Sequence, residues 1–151
     1  NPEFLVGQQV KGTPLVRDYS IEPIPTGYIL VDTGTTTSVA KHSKTAPIPE
    51  SELASICDHA LCAQYMGQSL VYLEAGSGAQ RPIGARVIEA VRKAIEIPMI
   101  VGGGIKTSDA CQTAASAGAD FVVVGTALEI DRSESLLREL SDAVRGVHAR
   151  A

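Results

Sequence analysis

Four short apolar runs, separated by stretches of helical periodicity, leave this chain few folds to choose from. The runs are Gly27-Tyr28-Ile29-Leu30-Val31, Ser69-Leu70-Val71-Tyr72-Leu73, Pro98-Met99-Ile100-Val101 and Asp120-Phe121-Val122-Val123-Val124. Each has strand length, is rich in β-branched residues and scarcely alternates, the pattern of a parallel strand covered on both faces. Between them, residues 51–66 carry Leu53, Ile56, Cys57, Ala60 and Leu61 on one helical face. Ile83, Val87, Val91 and Ile95 recur at helical spacing, with Ile88 and Ala94 beside them. Ser108-Asp109 is placed to cap a short alanine-rich helix that Gly118 would end. Leu136, Leu137, Leu140, Val144 and Val147 form a C-terminal amphipathic helix.

The order βαβαβαβα predicts right-handed crossover units and an α/β fold. A closed parallel barrel needs eight such units and about 250 residues, whereas this chain offers four units in 151 residues. Two architectures follow: an open doubly wound sheet, or half of a barrel whose other half lies elsewhere. No linker, low-complexity tract or repeat divides the chain, so it reads as one unit over residues 1–151. A hydrophobic content of 44% with four Tyr, two Phe and no Trp suits an aliphatic core. Thirteen basic against seventeen acidic residues provide no basic stripe for nucleic acid.

The three cysteines, Cys57, Cys62 and Cys111, form no disulfide framework and read as small core residues. The apolar runs are far shorter than the roughly 20 residues that span a bilayer. The opening NPEFLVG has no basic n-region, so a cytoplasmic location is the expectation.

Chemistry concentrates at three strand ends. Glu74-Ala75-Gly76-Ser77-Gly78 follows the second strand, Gly102-Gly103-Gly104 the third, and Gly125-Thr126 the fourth. Ligands of α/β folds sit at the carboxyl ends of strands, and glycine there lets backbone N–H groups approach an anion. One glycine turn is ordinary turn chemistry; three at the same end indicate a phosphate-binding face. Glu74 adds a carboxylate that can accept hydrogen bonds from substrate hydroxyls or take a proton as general base. Its plainer reading is a solvated glutamate at the rim of the sheet. Asp32, in Val31-Asp32-Thr33-Gly34-Thr35-Thr36-Thr37, is open to two readings, a place on the same face or a turn role. His42, His59 and His148 fit no ligand spacing, and Lys106 reads as a solvated helix-start lysine.

Several of these strings resemble one known family. Pro25-Thr26-Gly27-Tyr28-Ile29-Leu30-Val31, Tyr72-Leu73-Glu74-Ala75-Gly76-Ser77-Gly78-Ala79, Ile100-Val101-Gly102-Gly103-Gly104-Ile105, Ala117-Gly118-Ala119-Asp120 and Val124-Gly125-Thr126 are similar to strings of geranylgeranylglyceryl phosphate synthases. These archaeal enzymes share a family with the bacterial PcrB-type heptaprenylglyceryl phosphate synthases. The resemblance runs from residues 1–4 nearly to the C-terminus and rests chiefly on the specific string YLEAGSG. It implies a TIM-type (βα)8 barrel of which this chain supplies the last four βα units. It implies a Mg²⁺-dependent prenyltransferase of archaeal membrane lipid biosynthesis that joins sn-glycerol 1-phosphate to a prenyl diphosphate, geranylgeranyl diphosphate, through an ether bond. It also implies that Tyr72, Leu73, Glu74, Ala75, Gly76, Ser77 and Gly78 line the glycerol phosphate. Glu74 would serve its hydroxyls as the catalytic residue, and Gly103, Gly104, Gly125 and Thr126 would hold its phosphate.

Matched to the family, the strand of Tyr28 is the fifth. The family's early strands, with the acidic residues around Mg²⁺ and diphosphate, have no counterpart here, so no metal ligand is carried over. A lone half-barrel would expose two sheet edges; the expectation is a missing half supplied by preceding residues or by a second chain, or a homo-oligomer. Two rivals remain: another phosphate-binding barrel enzyme, and a half-barrel that binds phosphate without catalysis. Peripheral contact with a membrane suits so apolar a substrate, although no basic amphipathic helix demands it.

Overall fold

The computed structural model describes residues 6–34 and 45–148. Along the chain run α1 (Gln8–Asp18), β1 (Thr26–Asp32), β2 (Ile48–Pro49), α2 (Leu53–Tyr65), β3 (Leu70–Glu74), α3 (Ala85–Ala94), β4 (Met99–Gly102), α4 (Ser108–Ser116), β5 (Phe121–Val123), α5 (Thr126–Ile130) and α6 (Glu134–His148). Of the sequence features named above, residues 1–4, residues 35–37 and His42 lie outside the described residues.

The strands form one sheet in the order β2-β1-β3-β4-β5, with every pair parallel. Apart from the two-residue β2, which pairs with the other edge of β1, the strands β1, β3, β4 and β5 add in one direction, so right-handed crossovers place α2, α3 and α4 on one face. A doubly wound sheet distributes its helices to both faces; here Ile56 and Ala60 of α2, Val87, Ile88 and Val91 of α3 and Cys111 and Ala114 of α4 share one core. The fold is a partial (βα)8 barrel, with the two-residue β2 as an addition that the sequence did not announce.

The pleat sorts side chains between the two faces. Ile29 and Val31, Val71 and Leu73, and Met99 and Val101 point to the helices and join Ile56, Ala60, Val87, Ile88, Val91 and Cys111 in the core. On the opposite face Tyr28, Tyr72, Ile100 and Phe121 stand in lateral register, followed by a row of Leu30, Glu74, Gly102 and Val123.

The two central helices follow the expected stripes. Ile83, Val87, Ile88, Val91 and Ile95 are all buried around α3, and Ile56 and Ala60 are buried on α2. Four details differ. Thr107, not Ser108-Asp109, caps α4, its hydroxyl oxygen accepting from the Ala110 N–H at 3.2 Å. Leu137 is exposed on α6, where Leu140 is the buried residue. Asp120 precedes β5, with a carboxylate that accepts from Arg92 Nη1 at 3.0 Å and from the Met99 N–H at 2.7 Å. Cys62 is exposed beside Met66, while Cys111 alone of the three cysteines is fully buried; at five residues apart, Cys57 and Cys62 do not share a helical face. α1 has no buried residue and so left no apolar stripe in the sequence. No helix among the described residues is long and apolar enough to cross a membrane.

Candidate functional site

At the carboxyl end of the sheet a cleft of about 290 Å³ opens on the face away from the helices. Six residues singled out from sequence meet there: Tyr72, Glu74, Ser77, Gly103, Gly125 and Thr126. Three others complete it: Tyr28, Val123 and Glu129. A larger cavity, about 360 Å³, lies behind β5 between α4 and α6, but its lining is apolar except for Ser141 and Arg145. No glycine turn reaches it, so the smaller cleft is the candidate site.

Glu74 closes β3 and is only 7% exposed. Its Oε1 accepts from the Gly76 N–H at 2.6 Å, a charge-assisted bond that fixes the carboxylate over the turn. Gly103 makes this possible. Its φ is +84°, and a Cβ there would stand 2.5 Å from Glu74 Oε1 and 2.7 Å from the Gly76 nitrogen. Gly102 makes room for an aromatic ring: a Cβ would strike the Tyr72 hydroxyl and lie 3.0 Å from its ring Cε2. The missing side chain thus gives the Tyr72 ring its place.

Tyr72 and Tyr28 pack edge to face, with ring centroids 5.1 Å apart at 70°. Burial, then the charge of Glu74, raises the Tyr28 phenol to about 12. The Tyr72 phenol is also pushed well above its ordinary range, first by burial, then by its hydrogen bond to Glu74 and the charges of Glu74 and Tyr28. At neutral pH both phenols are neutral donors beside a carboxylate. Together they form an acceptor for a ligand hydroxyl, held by donors on its own protein side.

Not every residue of the expected string lines this cleft. Leu73 has no exposure and Ala75 only 2%, because the pleat turns Leu73 to the helices and Ala75 packs with the same core. The Ala75 N–H donates to the Gly102 carbonyl at 3.0 Å. Gly76 and Gly78 shape the turn with φ of +97° and +79°, and neither they nor Gly104 line the cleft. Asp32 takes the turn role: its Oδ1 accepts from the Gly34 N–H at 2.7 Å. His59 lies on the surface of α2 against the Ser55 carbonyl, and Lys106 is exposed.

Tyr28 is the residue that sequence reasoning passed over. Its strand hardly alternates, so the sequence alone did not say which side faced the site. The available signal was the pairing of Tyr28 with Tyr72, two residues before Glu74. Glu129 and Val123 gave no comparable signal. Among the described residues no group of three or more His, Cys, Asp or Glu side chains is placed to hold a metal ion, so these residues do not fit a Mg²⁺ site.

Residues 1–144 match the PcrB family. The chain belongs to the PcrB family. A geranylgeranylglyceryl phosphate synthase of Spirosoma linguale is 45% identical over 145 residues, covering 96% of this chain and 57% of the relative. One from Thermococcus gammatolerans is 43% identical over 149 residues, covering 96% and 58%. Among solved structures, the (S)-3-O-geranylgeranylglyceryl phosphate synthase of Thermoplasma acidophilum, in complex with sn-glycerol-1-phosphate, aligns with a TM-score of 0.83 at 39% identity. That alignment covers 97% of this chain and 58% of that one. This PcrB-family chain therefore spans somewhat more than half the length of the relatives it matches.

Proposed function

We propose that this chain is the acceptor-binding, C-terminal part of a single (βα)8 barrel, without an internal boundary, that joins sn-glycerol 1-phosphate to a prenyl diphosphate. The observation that carries the reading is the meeting of Glu74 and Tyr72 with Gly103, Gly125 and Thr126 in one cleft. It is supported by 39% identity to a synthase structure that holds sn-glycerol-1-phosphate. In this reading Gly103, Gly125 and Thr126 take the phosphate. Gly104 and the turn Gly76-Ser77-Gly78 shape the walls, and Tyr72 and Glu74 receive the glycerol hydroxyls. Leu73 and Ala75 contribute by holding the strand end in the core.

The reaction is a displacement. The C3 hydroxyl of the glycerol phosphate attacks the first carbon of the prenyl diphosphate; a C–O ether bond forms, the C–O bond to diphosphate breaks, and pyrophosphate leaves. Glu74 orients the hydroxyl and takes its proton. Fixing the phosphate in the glycine turns holds the hydroxyl at the reacting carbon, which contributes several kcal/mol (about 7 or more in favourable cases). A Mg²⁺ ion, held by residues other than these, would supply charge neutralisation for the diphosphate.

Incubation of the purified protein with sn-glycerol 1-phosphate, Mg²⁺ and labelled prenyl diphosphates tests the reading. Extractable labelled ether is the expected product. Phosphate binding without ether supports a binding-only half-barrel instead.

A further inference from the structure

Glu50 lies just beyond β2, at the same end of the sheet as the cleft but not in its lining. Both of its carboxylate oxygens are engaged with the loop that follows β3. Oε1 accepts from the Gly84 N–H at 2.7 Å, and Oε2 pairs with Arg81 Nη1 at 2.5 Å. Glu50 is the more enclosed partner, 20% exposed against 53% for Arg81. Its partners are 31 and 34 residues away in sequence, so the contact ties two separate βα units together.

The contact continues to the glycine turn after β4. Gly104, with φ +71°, lies so close to the Arg81-Pro82 backbone that a Cβ would stand 2.5 Å from the Arg81 carbonyl carbon and 2.9 Å from the Pro82 nitrogen. Gly84 is also the N-cap of α3 and has no side chain with which to cap it. Glu50 instead accepts from the Gly84 N–H itself, the bond a carboxylate makes in a capping box, and brings a negative charge to the helix N-terminus. A single carboxylate therefore fixes the start of α3 and the Arg81-Pro82 segment against which Gly104 is seated.

We propose that Glu50 is a positioning residue for the acceptor site: a clamp that, through Arg81 and Gly84, holds the Gly104 turn in its ligand-binding shape. The proposal rests on the reading of the cleft as a glycerol phosphate site. It predicts that the two halves of the clamp separate by substitution. Glu50→Gln keeps an oxygen acceptor for Gly84 and loses the charge on Arg81, whereas Glu50→Ala loses both. Arg81→Ala loses only the ion pair.

The test is amide NMR of the full chain. Hydrogen exchange at Gly84 and the peak position of Gly104 are followed in the wild type, Glu50→Gln, Glu50→Ala and Arg81→Ala, with and without sn-glycerol 1-phosphate. Glu50→Ala is expected to speed exchange at Gly84 about tenfold or more, shift the Gly104 peak, and weaken the ligand about tenfold. Glu50→Gln is expected to keep Gly84 protected, move Gly104 and weaken the ligand less, and Arg81→Ala is expected to match it. Gly118, whose backbone packs against Arg92 instead, should keep its peak in all variants; this separates local positioning from general loosening. Unchanged Gly84 exchange and Gly104 peaks in Glu50→Ala, or equal changes at Gly118, overturn the proposal. If the wild type binds no glycerol phosphate, the cleft reading falls, and the clamp is still decided by Gly84 and Gly104 in the free protein.

Discussion

Replacing Gly103 with alanine probes the point where backbone geometry and the proposed chemistry meet. The residue holds φ +84°, and moving an L-residue into the left-handed region costs about 1–2 kcal/mol. The new Cβ would also lie 2.5 Å from Glu74 Oε1, so the carboxylate must leave its position and give up the Gly76 N–H. Losing a hydrogen bond to a charged group costs about 1.5–3 kcal/mol. The sum, roughly 2.5–5 kcal/mol, is a large part of the roughly 5–15 kcal/mol typical of a domain. For a chain of this size it corresponds to a fall in Tm of roughly 5–20 °C. Gly146→Ala makes the same chemical change where a Cβ meets nothing within 4 Å, inside α6; it should stabilise by roughly 0.5–1 kcal/mol. Thermal denaturation of both variants, with titration of sn-glycerol 1-phosphate into Gly103→Ala, is the assay. A Gly103→Ala protein with wild-type Tm and wild-type ligand affinity would refute the reasoning.

Glu74→Gln should keep the fold and lose about 10²-fold or more of ether formation, measured with labelled prenyl diphosphate; near wild-type turnover would return Glu74 to the status of a rim residue. The raised phenol of Tyr28, at about 12 against an ordinary 10.0, means that the folded state holds this proton more tightly than the unfolded state. The stability it carries is whole below about pH 10 and is lost as pH rises through about 12, so urea midpoints should fall over that window and fall less steeply in Tyr28→Phe. Gly27→Ala drives a methyl into the Ala63 Cβ where α2 crosses β1; overpacking of this kind costs about 1–3 kcal/mol, readable as a lower urea midpoint without a change at the cleft.

The sheet and its helices were legible because their signals are local and repetitive. Ile83, Val87, Val91 and Ile95 are spaced so that one face of α3 must be buried, and all four are. The positions of Glu74 and the glycine turns followed from the rule that parallel strands present their carboxyl ends to ligands. What escaped was whatever depends on register or on distant partners. Tyr28 enters the site only because β1 pairs with β3 so that Tyr28 lies beside Tyr72. Leu73 and Ala75 sat inside the most specific string of the chain, yet the pleat and the core claim their side chains. β2 is two residues long, too short to mark itself, and α1 buries nothing. Glu50 reads in sequence as one more surface carboxylate; only the fold brings it to Arg81 and Gly84.

The claim on which the account depends is that the cleft at the end of β3, β4 and β5 takes a glycerol phosphate. Titrating the ¹⁵N-labelled chain with sn-glycerol 1-phosphate, and separately with inorganic phosphate, tests it most directly. The glycerol phosphate should move the amide peaks of Gly103, Gly125 and Thr126 saturably, together with that of Gly76, whose N–H is bonded to Glu74. Inorganic phosphate should move the first three and leave Gly76 in place. Peaks that stay fixed with both ligands, or that move instead around the cavity behind β5, would contradict it.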